Sequence, residues 1–146
     1  MADFSGSYDH GLDSKGRVII PMCFREGLGE NFTIALNGLA TAIALYPQDQ
    51  WEHVKNRLAR VSNTDAMGMD YKSFFIGNAF TSNSIDAQGR VLLPSKLRNM
   101  IGITKDVVFV GMTETIEIWD ATTHNEKEQQ ARVDIKSLLQ HMEDKY

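Results

Sequence analysis

The chain has 146 residues, 42% hydrophobic and 23% charged, the make-up of one folded domain or two small units sharing a core, and not of a disordered, collagen-like or low-complexity protein. Its apolar runs are only a few residues long, too short to cross a bilayer, and Met1-Ala2-Asp3-Phe4 lacks the basic and apolar stretches of a signal peptide. Fifteen Lys plus Arg against nineteen Asp plus Glu give a net charge of −4, with the acidic excess heavier after residue 60; this excludes a broad basic surface but leaves room for a small local one.

In chain order, Asp13-Ser14-Lys15-Gly16 reads as a turn leading into a strand, Arg17 to Ile20, which is closed by Pro21. A short helix, Met22 to Leu28, follows and ends at Gly29, a residue suited to a left-handed C-cap. Strands from Thr33 to Leu36 and from Thr41 to Tyr46 flank Asn37-Gly38, a hairpin signal. After Pro47 the period becomes helical: Trp51, Val54, Leu58 and Val61 make an amphipathic stripe. Met67, Tyr71, Phe74 and Phe75 make a weaker one, interrupted by Gly68.

The first pattern then returns. Residues 86 to 102, DAQGRVLLPSKLRNMIG, repeat residues 13 to 29, DSKGRVIIPMCFREGLG, at a constant offset of 73 with seven of seventeen positions identical. Average residue usage would give roughly one match in such a window. The second copy is read as a strand from Arg90 to Leu93 closed by Pro94, a helix from Ser95 to Ile101 closed by Gly102, and strands Val107 to Val110 and Thr115 to Trp119 around Gly111. Ile116 and Ile118 alternate with Glu117, which predicts one buried face. Asp120 suits an N-cap, and the polar tail after it ends in an apolar stripe, Ile135, Leu138, Leu139 and Met142. One-sided stripes of this kind are expected to pack on the core, the alternative being a subunit contact.

A unit of about 45 residues buries too little apolar surface to be stable alone. Two of them in one chain are therefore expected to close their sheets on each other around a pseudo-twofold axis. The organisation read from the sequence is a first repeat at residues 4–51, a helical connector at 52–78, a second repeat at 79–124 and a helical tail at 125–146, in a β-rich α+β fold.

Turn chemistry accounts for the Asp and Gly of the doubled Asp-x-x-Gly-Arg motif but not for a cation directly after the glycine, twice. Arg17 and Arg90 could pair with Asp13 and Asp86, yet exposed pairs contribute only about 0–1 kcal/mol. The sharper reading is that each Asp orients a guanidinium whose planar donors suit paired acceptors such as phosphate or the guanine edge. Lys15 adds a charge at the first turn, where the second has Gln88. Arg25 and Arg98 also repeat and read equally as structural or as subunit contacts, while Arg57 and Arg60 read as a solvated helix face.

Catalysis is not expected. His10, His53, His124 and His141 are isolated, without metal-ligand spacing. Cys23 is the one cysteine, aligns with Lys96 of the second copy and lacks a catalytic signature, so a plain thiol in a reducing cytoplasm is the reading. Gly27-Leu28-Gly29 is too short for a phosphate-binding fingerprint.

The paired motifs with their three apolar residues and proline, the hairpins behind them, and Val110-Gly111 with Ile116-Glu117-Ile118-Trp119-Asp120 resemble the MraZ family of bacterial transcriptional regulators over about residues 4 to 124. The resemblance implies an AbrB/SpoVT-like fold: a swapped-hairpin β-barrel formed by two tandem repeats in one chain, with peripheral helices. It also implies a ring-shaped homo-oligomer, cytoplasmic and nucleoid-associated, that binds short direct repeats of double-stranded DNA in the promoter of the division and cell-wall gene cluster. No cofactor, membrane or small-molecule substrate is implied. Carried over to this chain, the DNA-contact motif falls on Asp13, Lys15 and Arg17, and in the second copy on Asp86, Gln88 and Arg90, with the first copy the stronger candidate. An antitoxin-like protein-binding module of the same fold is the alternative; such proteins generally have one repeat and a disordered toxin-binding tail.

Overall fold

The computed structural model describes residues 2–146. It is a mixed α+β structure with eight strands and six helices among the described residues. The first repeat supplies β1 (Ser7–Gly11), β2 (Arg17–Ile19), α1 (Met22–Leu28), β3 (Phe32–Leu36) and β4 (Ile43–Pro47). The connector forms α2 (Gln48–Leu58) and α3 (Ala66–Gly77). The second repeat gives β5 (Phe80–Asn83), β6 (Arg90–Leu92), α4 (Ser95–Ile101), β7 (Asp106–Gly111) and β8 (Ile116–Asp120), followed by α5 (Ala121–Val133) and α6 (Ile135–Lys145).

Six strands form one antiparallel sheet in the order β1-β7-β8-β4-β3-β5, and β2 pairs with β6 in a separate two-stranded ribbon. The two repeats exchange strands: β1 of the first lies on β7 of the second, and β5 of the second lies on β3 of the first. The central pairings have the twofold symmetry that the repeat predicts, while the two hairpins and the two exchanged strands differ in register between the copies. Val18 faces Val91 at the middle of the ribbon and Ala44 faces Glu117 at the middle of the sheet. Both are pairs of residues 73 apart, so one pseudo-dyad runs through ribbon and sheet together. The hydrogen-bonded ladder does not close, because β1 and β5 are the sheet's edges and the ribbon stands apart.

The main core lies between the ribbon and one face of the sheet. It contains equivalent residues of both repeats, including Val18 and Val91, Ile20 and Leu93, Phe24 and Leu97, Leu36 and Phe109, and Leu45 and Ile118. Strand β3 is buried on both faces, because Ala35, Ala44 and Tyr46 on the far side form a second cluster with Trp51 and Leu58 of α2 and Phe75 of α3. Of the first stripe Trp51 and Leu58 are buried and Val54 packs against them, while Val61 lies beyond the end of α2. Of the weaker stripe only Phe75 is buried; Met67, Tyr71 and Phe74 are exposed. Gly68 does not interrupt α3 but lies in its first turn, its N–H donating to the Asp65 carboxylate at 3.0 Å.

Three local expectations are corrected. The tail stripe does not pack on the core: Ile135, Leu138, Leu139 and Met142 are exposed, and neither α5 nor α6 has a buried residue. The spacing of an amphipathic helix is there, but the chain offers no second surface opposite it. The loop after β3 is longer than a two-residue Asn-Gly turn. Asn37 N–H donates to the Ala42 carbonyl at 2.9 Å, and the Asn37 side-chain oxygen accepts from Thr41 N–H at 2.8 Å, so the side chain closes a wider turn. Finally, Gly29 has φ 75° and ψ −169°, whereas Gly102, at φ 74° and ψ 27°, is the left-handed cap expected of both.

Strand β7 ends where Phe4-Ser5 crosses it, and a Cβ at Gly111 would collide with the Ser5 backbone. Gly77, at the end of α3, has nothing within 4 Å of the same position. Gly111→Ala is therefore expected to destabilise by about 1–3 kcal/mol, as overpacking does, while Gly77→Ala stabilises by about 0.4–1 kcal/mol through the unfolded chain. Thermal melts of the two variants against the parent check both signs.

Candidate nucleic-acid interface

The turn before β2 is built around one carboxylate. Asp13 Oδ1 accepts from the backbone N–H groups of Lys15 and Arg17, each at 2.9 Å, and Oδ2 accepts from Arg17 Nε at 2.7 Å. The main chain closes the same loop: Asp13 N–H donates to the Arg17 carbonyl at 2.9 Å and Gly16 N–H to the Asp13 carbonyl at 3.1 Å. The second turn reproduces this. Asp86 Oδ1 accepts from the N–H groups of Gln88 and Arg90 at 2.9 and 2.8 Å, and Oδ2 from Arg90 Nε at 2.9 Å. Gly16 and Gly89 sit at φ +83° and +79°, a conformation that side chains rarely adopt. Each arginine is thus held at Nε, and its terminal nitrogens are not bonded to the carboxylate.

The turns are also locked from the opposite repeat, which settles what Arg25 and Arg98 do within the chain. Arg25 Nε donates to the Ile20 carbonyl at 2.9 Å, and Arg98 Nε donates to the Leu93 carbonyl at 3.0 Å. Beyond that bond the Arg98 guanidinium covers Gly16, where a Cβ would come within 2.6 Å of Nη2; the Arg25 guanidinium covers Gly89 in the same way. Ile20 N–H donates to the Gly89 carbonyl at 2.8 Å and Leu93 N–H to the Gly16 carbonyl at 3.0 Å. These arginines hold the other repeat's turn. Their identical recurrence at the 73-residue offset was the sequence signal for it.

Alternation along the ribbon decides what faces outward. Val18 and Val91 point into the core at 1% and 5% exposure. Arg17, Ile19, Arg90 and Leu92 therefore share the outer face, with Arg17 opposite Leu92 and Ile19 opposite Arg90. The structure brings together all six residues singled out from the sequence: the two motif turns stand at the two ends of one short ribbon. Ile19 and Leu92 were not singled out, although period-two spacing from each arginine places them on its face.

The two copies are not electrically alike. Arg90 also donates from Nη2 to Gln88 Oε1 at 3.1 Å, so one of its terminal nitrogens is engaged. Lys15 has no acceptor to offer, and among the described residues the terminal nitrogens of Arg17 have no hydrogen-bond partner. Around the ribbon Lys15, Arg17, Arg25, Arg90 and Arg98 outnumber Asp13 and Asp86, and both carboxylates are already committed to arginine.

The hydrogen bonds hold Asp13 and Asp86 below the ordinary carboxyl value of 3.8, chiefly through the N–H of Arg17 and of Arg90 respectively, against a smaller opposing effect of desolvation. A carboxyl lowered by folding contributes stability that is present above 3.8 and lost as pH falls through the folded value. NMR titration should place the Asp13 carboxyl below 3.8, and Arg17→Ala should move it only part of the way back, since the backbone N–H remains.

The family model described as "MraZ protein, putative antitoxin-like" matches residues 4–70 and 75–144. A transcriptional regulator MraZ of Natranaerobius thermophilus is 36% identical over 141 residues, covering 97% of each chain. One from Desulforamulus reducens is 37% identical over 97% of this chain and 98% of its own. One from Syntrophomonas wolfei is 39% identical over 93% of this chain and 96% of its own. The relatives carry the name of a transcriptional regulator and not of an enzyme. With a family model and relatives matching along nearly its whole length, the chain belongs to the MraZ family.

Proposed function

We propose that the protein is a sequence-specific DNA-binding regulator that grips promoter repeats through the outer face of the β2–β6 ribbon. One observation carries the reading: two aspartate-braced guanidinium groups share one exposed face of a two-stranded ribbon, related by the pseudo-dyad. The major groove of B-DNA, about 12 Å wide, admits a two-stranded ribbon, and guanidinium donors suit the acceptor pair of guanine or a phosphate. Arg17 and Arg90 make the principal contacts, oriented by Asp13 and Asp86. Lys15 adds a phosphate contact in the first copy, and Gln88 steadies Arg90 in the second.

On this reading residues 4–51 and 79–124 are the two DNA-binding units, joined by the connector 52–78 and followed by the tail 125–146. The exchanged strands β1 and β5 support taking ribbon and sheet as the two sides of an AbrB-like swapped-hairpin barrel. A homo-oligomeric ring supplies the affinity that one ribbon lacks, because tandem DNA repeats engage neighbouring subunits at high effective concentration. It also reconciles DNA binding with a net charge of −4, since only one rim need be positive. The exposed α6 stripe supports self-association. The antitoxin-like alternative, a module that holds a small basic partner with a disordered tail, fits less well, because this chain has two repeats and its tail forms helices that keep the stripe. Co-purification of such a partner, with no shift of promoter DNA, would decide for that alternative.

A gel shift on the DNA upstream of the protein's own gene, the promoter of the division and cell-wall cluster, tests the proposal. Binding should tighten steeply from one repeat to three and weaken with salt; equal affinity for one and three repeats counts against the ring. Arg17→Ala should abolish the specific shift while the solution mass stays that of the parent oligomer. Lys15→Ala should retain specificity and lower the slope of log affinity against log salt by about 0.9 for each phosphate that the assembly no longer neutralises.

A further inference from the structure

The ribbon's outer face carries two large apolar residues that neither the fold nor the guanidinium contacts use. Ile19 is 46% exposed and Leu92 56% exposed. Single exposed apolar residues are ordinary on protein surfaces. These two are a symmetry-related pair, 73 residues apart, each directly across the ribbon from one of the two motif arginines. Their neighbours restrict what can cover them. The rim is cationic, with Lys15, Arg17, Arg25, Arg90 and Arg98 around it, and its two carboxylates are already bonded to arginine. The complementary partner is a polyanion that also presents apolar groups on a surface able to receive a ribbon. The major groove of double-stranded DNA is such a surface, and the C5-methyl of thymine is the apolar group on its floor. The ribbon's own four outward residues, Arg17, Ile19, Arg90 and Leu92, include no aromatic ring on which the bases of a single strand could stack.

We propose that Ile19 and Leu92 are sequence-reading residues that contact thymine methyl groups, each beside the base or phosphate engaged by the guanidinium across the ribbon. The inference rests on the DNA-binding reading above and goes beyond it, because it assigns discrimination to two side chains without a polar atom. The arginines set position and charge, and the apolar pair distinguishes thymine from cytosine at adjacent base pairs.

Fluorescence anisotropy of the full-length protein on the upstream fragment tests this at one fixed salt concentration. The fragment is made once with thymine and once with deoxyuridine throughout the protected segment, which removes only the methyl groups. The parent should bind the uracil fragment about fourfold more weakly for each thymine methyl that Ile19 or Leu92 covers, the factor that burial of one methyl-sized group provides. Ile19→Ser and Leu92→Ser should each weaken binding to the thymine fragment by a similar factor and lower the preference for thymine by that factor, and the double variant should bind the two fragments equally. Equal binding of both fragments by the parent, or serine variants that still prefer thymine as strongly as the parent, overturns the assignment while leaving DNA binding intact. A change in solution mass on serine substitution overturns it too, since the pair would then belong to a contact between copies. If the parent binds neither fragment, the regulatory reading falls and takes this inference with it. The uracil comparison uses the unaltered protein, so it stands even if a serine variant misfolds.

Discussion

Each repeat completes its structure only with strands and side chains of the other, and everything else in the molecule depends on that exchange. Strand β1 adds to the second repeat's hairpin and β5 to the first's. Arg25 covers the Gly89 turn and Arg98 the Gly16 turn. The main core takes equivalent residues from both copies, so neither half can be removed without opening the other. This is how a unit of about 45 residues escapes the surface-to-volume limit on small domains. It also explains why the pseudo-dyad passes through Val18/Val91 and Ala44/Glu117 at once: one axis must serve both ribbon and sheet for the exchanged strands to reach.

The same exchange prepares the candidate interface. A lone hairpin tip would hold an arginine loosely, and long charged side chains lose considerable rotamer entropy when fixed. Here each carboxylate takes two backbone N–H groups and one guanidinium, while the glycine beneath is packed under an arginine of the other repeat. A turn braced from both sides lets the exposed guanidinium reach a partner with less freedom left to lose. Stability alone does not account for the arrangement, because surface pairs of this kind contribute little. Preorganisation of donors does.

The repeat, the two turns, the short strands that end at proline and the helices behind them were legible because each has a local cause: aspartate and glycine for the turn, a missing N–H at Pro21 and Pro94, a glycine after each short helix. The offset of 73 then made the symmetry legible without coordinates. What could not be read depends on partners distant in sequence. Strand β1, Ser7–Gly11, is polar and has no buried residue, so no pattern marks it; it is a strand because β7 is there to pair with it. Strand β5 is similar: none of its residues is buried, and Phe80 is 38% exposed. The tail stripe misleads for the converse reason. Its period is that of a packed helix, but period reports amphipathicity and not what lies opposite, and among the described residues nothing buries a side chain of α6. The arginine pair Arg25 and Arg98 was visible as a repeat, but the direction of each guanidinium, across the dyad onto the other copy's glycine, is a property of the assembled fold.

The two turns differ at Ser14/Ala87 and at Lys15/Gln88, and the second difference bears on how the ribbon would meet DNA. A perfectly twofold ribbon would treat the two ends of its contact alike, as a palindrome demands, whereas direct repeats present the same polarity at every step. The exchange of Lys15 for Gln88 breaks the equivalence where the contact would be made. One end carries an additional cation beside a guanidinium whose terminal nitrogens are unengaged; the other has a neutral amide bonded to Nη2 of Arg90. The freer end can offer Arg17 to a base edge and Lys15 to a phosphate together, while the doubly held Arg90 presents fewer unengaged donors. A ring that repeats one such polar contact around its rim matches tandem DNA sites in orientation as well as in number. On the proposed reading, the exchange of Lys15 for Gln88 gives the ribbon a direction on the duplex.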